Sequence, residues 1–348
     1  MMETQAFGTN QKEENTSLYI LENKNHMKIK VSDHGATLVS VLVPDKEGAL
    51  KDVVLGYDSA SEYENHTCYF GATVGRNCNR LESAQVVIDN TPCTIPVDER
   101  GISLHSAPNG FERALWKVKE SSDSSITLSH LSTEEEQGFP GNLEVEVTYT
   151  LTDDNAVEIS YQGKADKATV MNFTNHSYFN LGGHDSGPVL NQKLQILAES
   201  YTPVKDAMSI PTGEIAPVAG TPLDFRTMKP IGQDIEADFH QLNFAGGFDH
   251  NFVLSEKPGE LKAMANAYCE ETGIAMEAFT ESCGVQFYAG NFIGSQTGKG
   301  GAAYEDRCGF CLEAQFYPNA LNRENFPSSV VKAGEVFTTK TIYRFSVR

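Results

Sequence analysis

The sequence predicts an all-β fold, an antiparallel sandwich or barrel, on three observations. Apolar and polar residues alternate with period two in many short runs, helical periodicity is weak everywhere, and turn-forming clusters separate the runs. The clearest run is Leu143, Val145, Val147, Tyr149 and Leu151, which alternates with Glu144, Glu146, Thr148 and Thr150. Asp153-Asp154-Asn155 follows as a turn, and Val157, Ile159 and Tyr161 resume the pattern. This reads as a hairpin with one wet face. Similar runs lie at 26–43, 84–97, 124–131, 274–280, 284–293, 308–317 and 336–347. No linker, low-complexity tract or repeat divides the 348 residues, so 16–348 read as one domain. The polar segment 1–15 reads as a frayed terminus.

Composition narrows the function classes. The chain carries 47 acidic against 27 basic side chains, a net charge of −20. Such a surface repels nucleic acid and anionic membranes, and no basic patch offsets it. No apolar run approaches the ~18 residues of a membrane span; the strongest, Leu38–Val43, already contains Ser40. The N-terminus MMETQAFGTN has neither the basic nor the apolar region of a signal peptide, so a cytoplasmic location is expected. Seven cysteines is an odd number for a disulfide framework, and free thiols are expected. Cys308 and Cys311 are an odd number of residues apart, which puts them on opposite faces of a strand, and no second pair completes a zinc site. The segment 294–304, GSQTGKGGAAY, lacks the spacing of a phosphate loop and reads as a flexible surface loop. No metal or dinucleotide motif is present, so no cofactor is expected.

Two strands carry unusual chemistry. In 171–181, MNFTNHSYFNL, period two places Asn172, Thr174, His176, Tyr178 and Asn180 on one face. Asn, His and Tyr bind neutral hydroxyls and move protons, whereas an ordinary wet strand carries Lys, Glu and Thr. In 308–317, CGFCLEAQFY, Glu313 is the one charge, sharing its face with Cys311, Gln315 and Tyr317. A carboxylate in such surroundings is either a structural ion pair or a base with a tuned pKa. Other polar residues sit singly: Gln286 and Tyr288 on one strand face, Asp249 beside His250, His105 in 103–116, and Arg76 and Arg80 in 71–82.

Taken together and in order, GATVGRNCNR at 71–80, SLHSAPNGFERALW at 103–116, NFTNHSYFNLGG at 172–183, GFDHNF at 247–252, VQFYAGNF at 285–292 and CLEAQFYPNALN at 311–322 resemble the aldose 1-epimerase (galactose mutarotase) family. The resemblance implies one large, distorted antiparallel β-sandwich with a sugar cleft on one sheet. It implies a general base at Glu313 and a general acid at His176. It implies sugar-binding positions at Asn79, Arg80, His105, Asp249 and Gln286, with Tyr178 as a further wall; His105 could hydrogen-bond the ring oxygen or share the acid role. The implied partner is a small aldose, with no nucleic acid and no membrane; monomer and homodimer both fit the sequence. Four departures bear on loop shape: Ser106-Ala107 where the family often has two glycines, Leu81-Glu82-Ser83 after Asn-Arg, Ala314 in a frequent Thr position and Asn319 in a frequent Asp position.

The chemistry suits the residues. Changing an aldose anomer means opening the ring, which needs a base at the C1 hydroxyl, an acid at the ring oxygen and no redox step. Two other readings use the same groups. One is a glycoside hydrolase with Glu313 and Asp249 as paired carboxylates, and the other is a sugar-binding module without catalysis.

Overall fold

The computed structural model describes residues 2–108 and 110–348. Three antiparallel sheets make up most of it. The largest has nine strands, in the order Lys117–Ser121, Ser125–Ser132, Leu143–Leu151, Ala156–Ala165, Val336–Val347, Ile274–Thr280, Lys262–Tyr268, Lys193–Ile196 and Lys229–Pro230. The second has six, in the order Tyr178–Phe179, Phe310–Gln315, Gly284–Tyr288, Asp249–Val253, Ser200–Tyr201 and Ala216–Pro217. The third is a meander of five, from Glu3–Thr9 to Leu50–Asp52. The first two pack face to face as a sandwich.

The hairpin expected from alternation forms as Leu143–Leu151 and Ala156–Ala165. Leu143, Val145, Val147, Tyr149 and Leu151 are all buried, while Glu144 is exposed. Between the sheets, Leu312 and Phe287 of the six-stranded sheet share a core with Tyr343 and Phe345 of the nine-stranded one. The Phe179 ring lies 4.8 Å from that of Tyr343, and Tyr343 Oη donates to the Leu312 carbonyl at 2.8 Å. The residues between Leu312 and Phe287 on their strands face the other way and make the floor of a cleft.

Three expectations are corrected. Residues 3–9 are not frayed: they form an edge strand in register with 15–22, such as Gln5 against Leu18. Phe7, 4% exposed, joins Leu18, Val39 and Ala60 in a small core, so one aromatic among polar neighbours anchors the segment. Segment 171–181 is not one continuous strand with Asn172, Thr174, His176, Tyr178 and Asn180 on a single face. It breaks into Thr174–Asn175 and Tyr178–Phe179, which pair with different sheets, and both faces are buried. Finally, 294–304 is not a loose surface loop. Lys299 reaches into the body, where its ammonium bonds Asp52 Oδ2 at 2.7 Å and the carbonyls of Val39 and Val54 at 2.7 and 2.8 Å.

Removing the inter-sheet bond tests the packing. Tyr343→Phe should lower unfolding free energy by about 1 kcal/mol in urea titration, the usual net worth of one buried hydrogen bond.

Candidate active site

The cleft on the outer face of the six-stranded sheet is lined by Asn79, Arg80, His105, His176, Tyr178, Asp249 and Glu313, together with Thr67, Cys68, Tyr69, Leu104, Tyr288 and Phe292. Strand register explains the floor. Gln286 pairs with Glu313, Asp249 with Tyr288, and Tyr178 with Cys311. Side chains directly opposite across a ladder share a face, so these pairs stand together on the cleft side.

The walls come from loops held in costly conformations. Asn79, His105 and Ser106 have φ of +59°, +56° and +62°, a region that non-glycine residues enter only when the surroundings compensate. Here the backbone N–H of Asn79 donates to His105 Nδ1 at 3.1 Å, and that of His105 donates to the Asn79 carbonyl at 3.0 Å. Ser106 Oγ accepts from the N–H of Asn77 and donates to its carbonyl, both at 3.0 Å. The serine standing where the resemblance suggests glycine thus fastens its loop to the 77–80 turn. Arg76 lies beneath that turn, fully buried, and bonds the carbonyls of Ser132, Thr133 and Pro140 and the hydroxyls of Ser132 and Thr169. Asn319 accepts from the Glu82 N–H through its Oδ1 at 3.1 Å. Ala314 lies in the core on the face opposite Glu313.

Arg80 and Asp249 form a partly shielded ion pair, Nη2 to Oδ2 at 3.1 Å. Gln286 donates Nε2 to the other Asp249 oxygen at 2.6 Å. Gln286 thus holds Asp249 from the adjoining strand. Two other expected members of the 171–181 face are also absorbed structurally. Asn172 accepts from the N–H of Phe316, and Asn180 donates to the carbonyls of Gly187 and Cys308.

At the centre, His176 Nε2 lies 3.6 Å from Glu313 Oε2, and His176 Nδ1 lies 3.6 Å from Cys311 Sγ. By distance the first contact is an ion pair, but desolvation decides otherwise. Burial, with the nearby Asp249 charge, pushes Glu313 up to about 8, against a partial opposing effect of Arg80. Burial pushes His176 down to about 4. An unpaired charge in this water-poor site costs more than the attraction returns. Burial therefore favours the neutral form of both groups, with the proton on the carboxyl. His105 is driven well below its ordinary value, first by burial and then by His176 and Arg80. It is neutral, and because its Nδ1 accepts a bond, its proton sits on Nε2.

His105, His176 and Glu313 place one ligand atom each within 4.8 Å of one another, a His-His-Glu set of the kind that binds zinc. The Asn79 N–H argues against that use. It occupies His105 Nδ1 and leaves the hydrogen on the nitrogen a metal would need. The three groups are better suited to donating and accepting protons.

Tyr69, Thr67, Cys68 and Phe292 were not foreseen. They lie in loops, where no periodicity marks a face. Tyr288 carried a signal, since it stands two residues from Gln286 on the same strand face.

Comparison with known proteins agrees with this geometry. Residues 17–344 match the family model described as Aldose 1-epimerase. The chain belongs to the aldose 1-epimerase family. It is 38% identical over 324 residues to the galactose mutarotase of Sus scrofa, covering 93% of this chain and 92% of that one. It is 36% identical over 330 residues to the aldose 1-epimerase of Escherichia coli, covering 94% of each. Two solved structures superpose closely. An aldose epimerase homologue from C. elegans gives a TM-score of 0.87 at 28% identity, covering 95% of this chain and 99% of that one. A galactose 1-epimerase from Lactobacillus acidophilus gives 0.85 at 25% identity, covering 100% and 99%. The protein is thus an isomerase with the family's distorted β-sandwich, and it acts on aldoses.

The buried carboxyl has a thermodynamic signature. A raised folded-state pKa means that the native state binds more protons than the unfolded chain between the ordinary value of 4.5 and about 8. Stability from this group is therefore lost as pH rises through that window. Glu313→Gln, which mimics the protonated form, should melt progressively higher than wild type as pH is raised from about 4.5 to about 8, with the smallest difference at the acid end. Differential scanning calorimetry across that range checks this; a difference independent of pH would contradict it.

Proposed function

We propose that the protein interconverts the α and β anomers of free hexoses, among them galactose, the sugar in its relatives' names, and glucose. Glu313 is the general base and His176 the general acid. The observation that carries this is a carboxyl and an imidazole 3.6 Å apart, both buried at the floor of the cleft, with burial shifting each toward its neutral form.

Sugar hydroxyls and the Arg80 guanidinium replace water around the pair, and the shared proton crosses from Glu313 to His176. The carboxylate then takes the proton of the C1 hydroxyl. Imidazolium Nε2–H protonates the ring oxygen as the C1–O5 bond breaks, and C1 becomes an aldehyde. The pair is now neutral again, with the proton on Glu313. The C1–C2 bond rotates, the C5 hydroxyl adds to the other face of C1, His176 takes its proton and Glu313 returns one to the anomeric oxygen. Atoms and charge balance, and no electron leaves the sugar. Ring opening turns a separated charge pair into a neutral pair, so the desolvation that disfavours the ionised form drives the opening step.

His105 offers its Nε2–H as a donor beside the ring oxygen. Arg80 and Asn79 bind hydroxyls, and Asp249 binds them while held by Arg80 and Gln286. Asp249, with both oxygens engaged, is poorly placed to act as the second carboxylate of a hydrolase. Tyr178 and Tyr288 wall the cleft beside the pair. All seven cysteines are free thiols, which supports a cytoplasmic, reducing location.

Polarimetry tests the assignment. Dissolved α-D-galactose or α-D-glucose should reach its equilibrium rotation faster with protein present. Glu313→Gln and His176→Asn should each lower kcat by roughly 10²–10⁴; wild-type kinetics in either would end that residue's role. The pH dependence of kcat/KM should be a bell with limbs near 4 and 8, because one proton must remain on the pair.

A further inference from the structure

The neutral pair raises a question about the working form. The reaction needs the His176 imidazolium, yet burial opposes it. Two aromatic rings stack on His176. Tyr178 lies 5.1 Å away with an interplanar angle of 19°, and Tyr69 lies 5.8 Å away at 22°. Both distances are within the ~6 Å at which an aromatic face attracts a cation, and the attraction grows when water is absent.

We propose that Tyr69 and Tyr178 form an aromatic clamp whose ring faces stabilise the imidazolium of His176 and so populate the arrangement that opens the sugar ring. Tyr178 belongs to the same strand segment as His176, so its stacking follows from local chain geometry. Tyr69 is the informative member. It comes from a distant loop, and its own backbone is left-handed, with φ +58°. The turn that presents it is tightly held. The Gly71 N–H donates to the His176 carbonyl at 3.0 Å, and the Ala72 N–H donates to the Tyr69 carbonyl at 3.0 Å. A Cβ on Gly71 would meet the Leu38 carbonyl oxygen at 2.0 Å, so the turn is pressed against the five-stranded sheet and only glycine fits there. The fold thus spends a strained residue and an obligatory glycine on bringing one ring to His176.

The other groups facing His176 act with the rings: in the working form the Glu313 carboxylate, 3.6 Å away, favours the imidazolium as well. That contribution is spent as Glu313 takes up the C1 proton, whereas the rings are uncharged throughout; the Cys311 thiol is pushed well above its ordinary value by burial, and His105, 5.1 Å away between centroids, is neutral. Arg80 opposes the imidazolium and Asp249 favours it, and these two are paired with each other. Beyond Tyr69 lie Glu112 and Arg113, of opposite charge, 3.9 Å apart. Tyr69 is accordingly a positioning residue that acts through His176, and the inference rests on the acid role proposed above.

Fluorination tests the clamp without changing its shape. Phenylalanine and its mono-, di- and trifluoro analogues are placed at position 69, each fluorine weakening the negative face of the ring. The expected result has three parts relative to Tyr69→Phe. The plateau of kcat/KM falls stepwise along the series, to about tenfold at the end. The fall is carried by kcat rather than KM. The acid limb of the pH profile moves to lower pH while the alkaline limb stays, because only the first depends on the charged imidazole. The ring ¹⁵N titration of His176, assigned by its disappearance in His176→Gln, should move with the acid limb. A flat series in both readouts overturns the clamp. Should His176→Gln keep wild-type activity, the acid role fails instead, while the ¹⁵N titration still reports whether the rings stabilise the charge.

Discussion

Removing water from one carboxyl–imidazole pair is the constraint on which this protein's chemistry depends. In water, Glu313 would be ionised and His176 largely neutral at pH 7, and the two would have little to do with each other. In the cleft their values are driven past one another, to about 8 and about 4. Burial thus favours the proton on the carboxyl, and moving it to the imidazole is uphill by several kcal/mol at about 1.4 kcal/mol per pKa unit. The two groups suit a reaction in which a proton leaves one oxygen of a substrate while another arrives at a neighbouring oxygen. In the mechanism proposed above, the cost of forming the ionised pair in dry surroundings is recovered as the ring opens, and the proposed aromatic clamp lowers that cost.

The sandwich supplies the dryness. Its inner face holds Leu312 and Phe287, and its outer face turns Glu313, Asp249, Tyr288 and Tyr178 toward the cleft. A sheet fixes such side chains by ladder register, which is stiff, so the floor is precise without further support. The walls are not stiff by nature. They carry left-handed residues at Tyr69, Asn79, His105 and Ser106, and each is tied by hydrogen bonds to a neighbour. Two buried cations extend these ties: Arg76 clamps the 77–80 turn to 132–140, and Lys299 clamps 294–304 to Asp52. Neither faces the cleft. Both take up main-chain carbonyls that would otherwise lack donors, which is how a buried charge is compensated without becoming reactive.

Much of this was legible in the sequence, for identifiable reasons. Alternation gave the 143–161 hairpin and the strands 274–280 and 336–347 because period two is imposed wherever one face is buried. It failed at 171–181 because both faces there are buried and the chain switches sheets, so Asn172 and Asn180 became hydrogen-bonding struts while His176 and Tyr178 reached the cleft. Polarity misjudged residues 3–9, where one buried phenylalanine and a row of backbone bonds outweigh the charged side chains. Glycine content misjudged 294–304, where a single lysine inserts into the body.

By itself the sequence determined the fold class, the family and the residue types that meet in the cleft, because hydrophobic period and ordered motifs are written locally along the chain. It also presented Glu313 as a lone charge among uncharged neighbours. Only the tertiary structure decided that Gln286 donates to Asp249, that His105 accepts at Nδ1 from the Asn79 N–H, that Tyr69 stacks on His176, and that Glu313 and His176 lie 3.6 Å apart in a buried site. These are properties of distances and of excluded water, and residues far apart in the chain acquire them only when the sheets close around them.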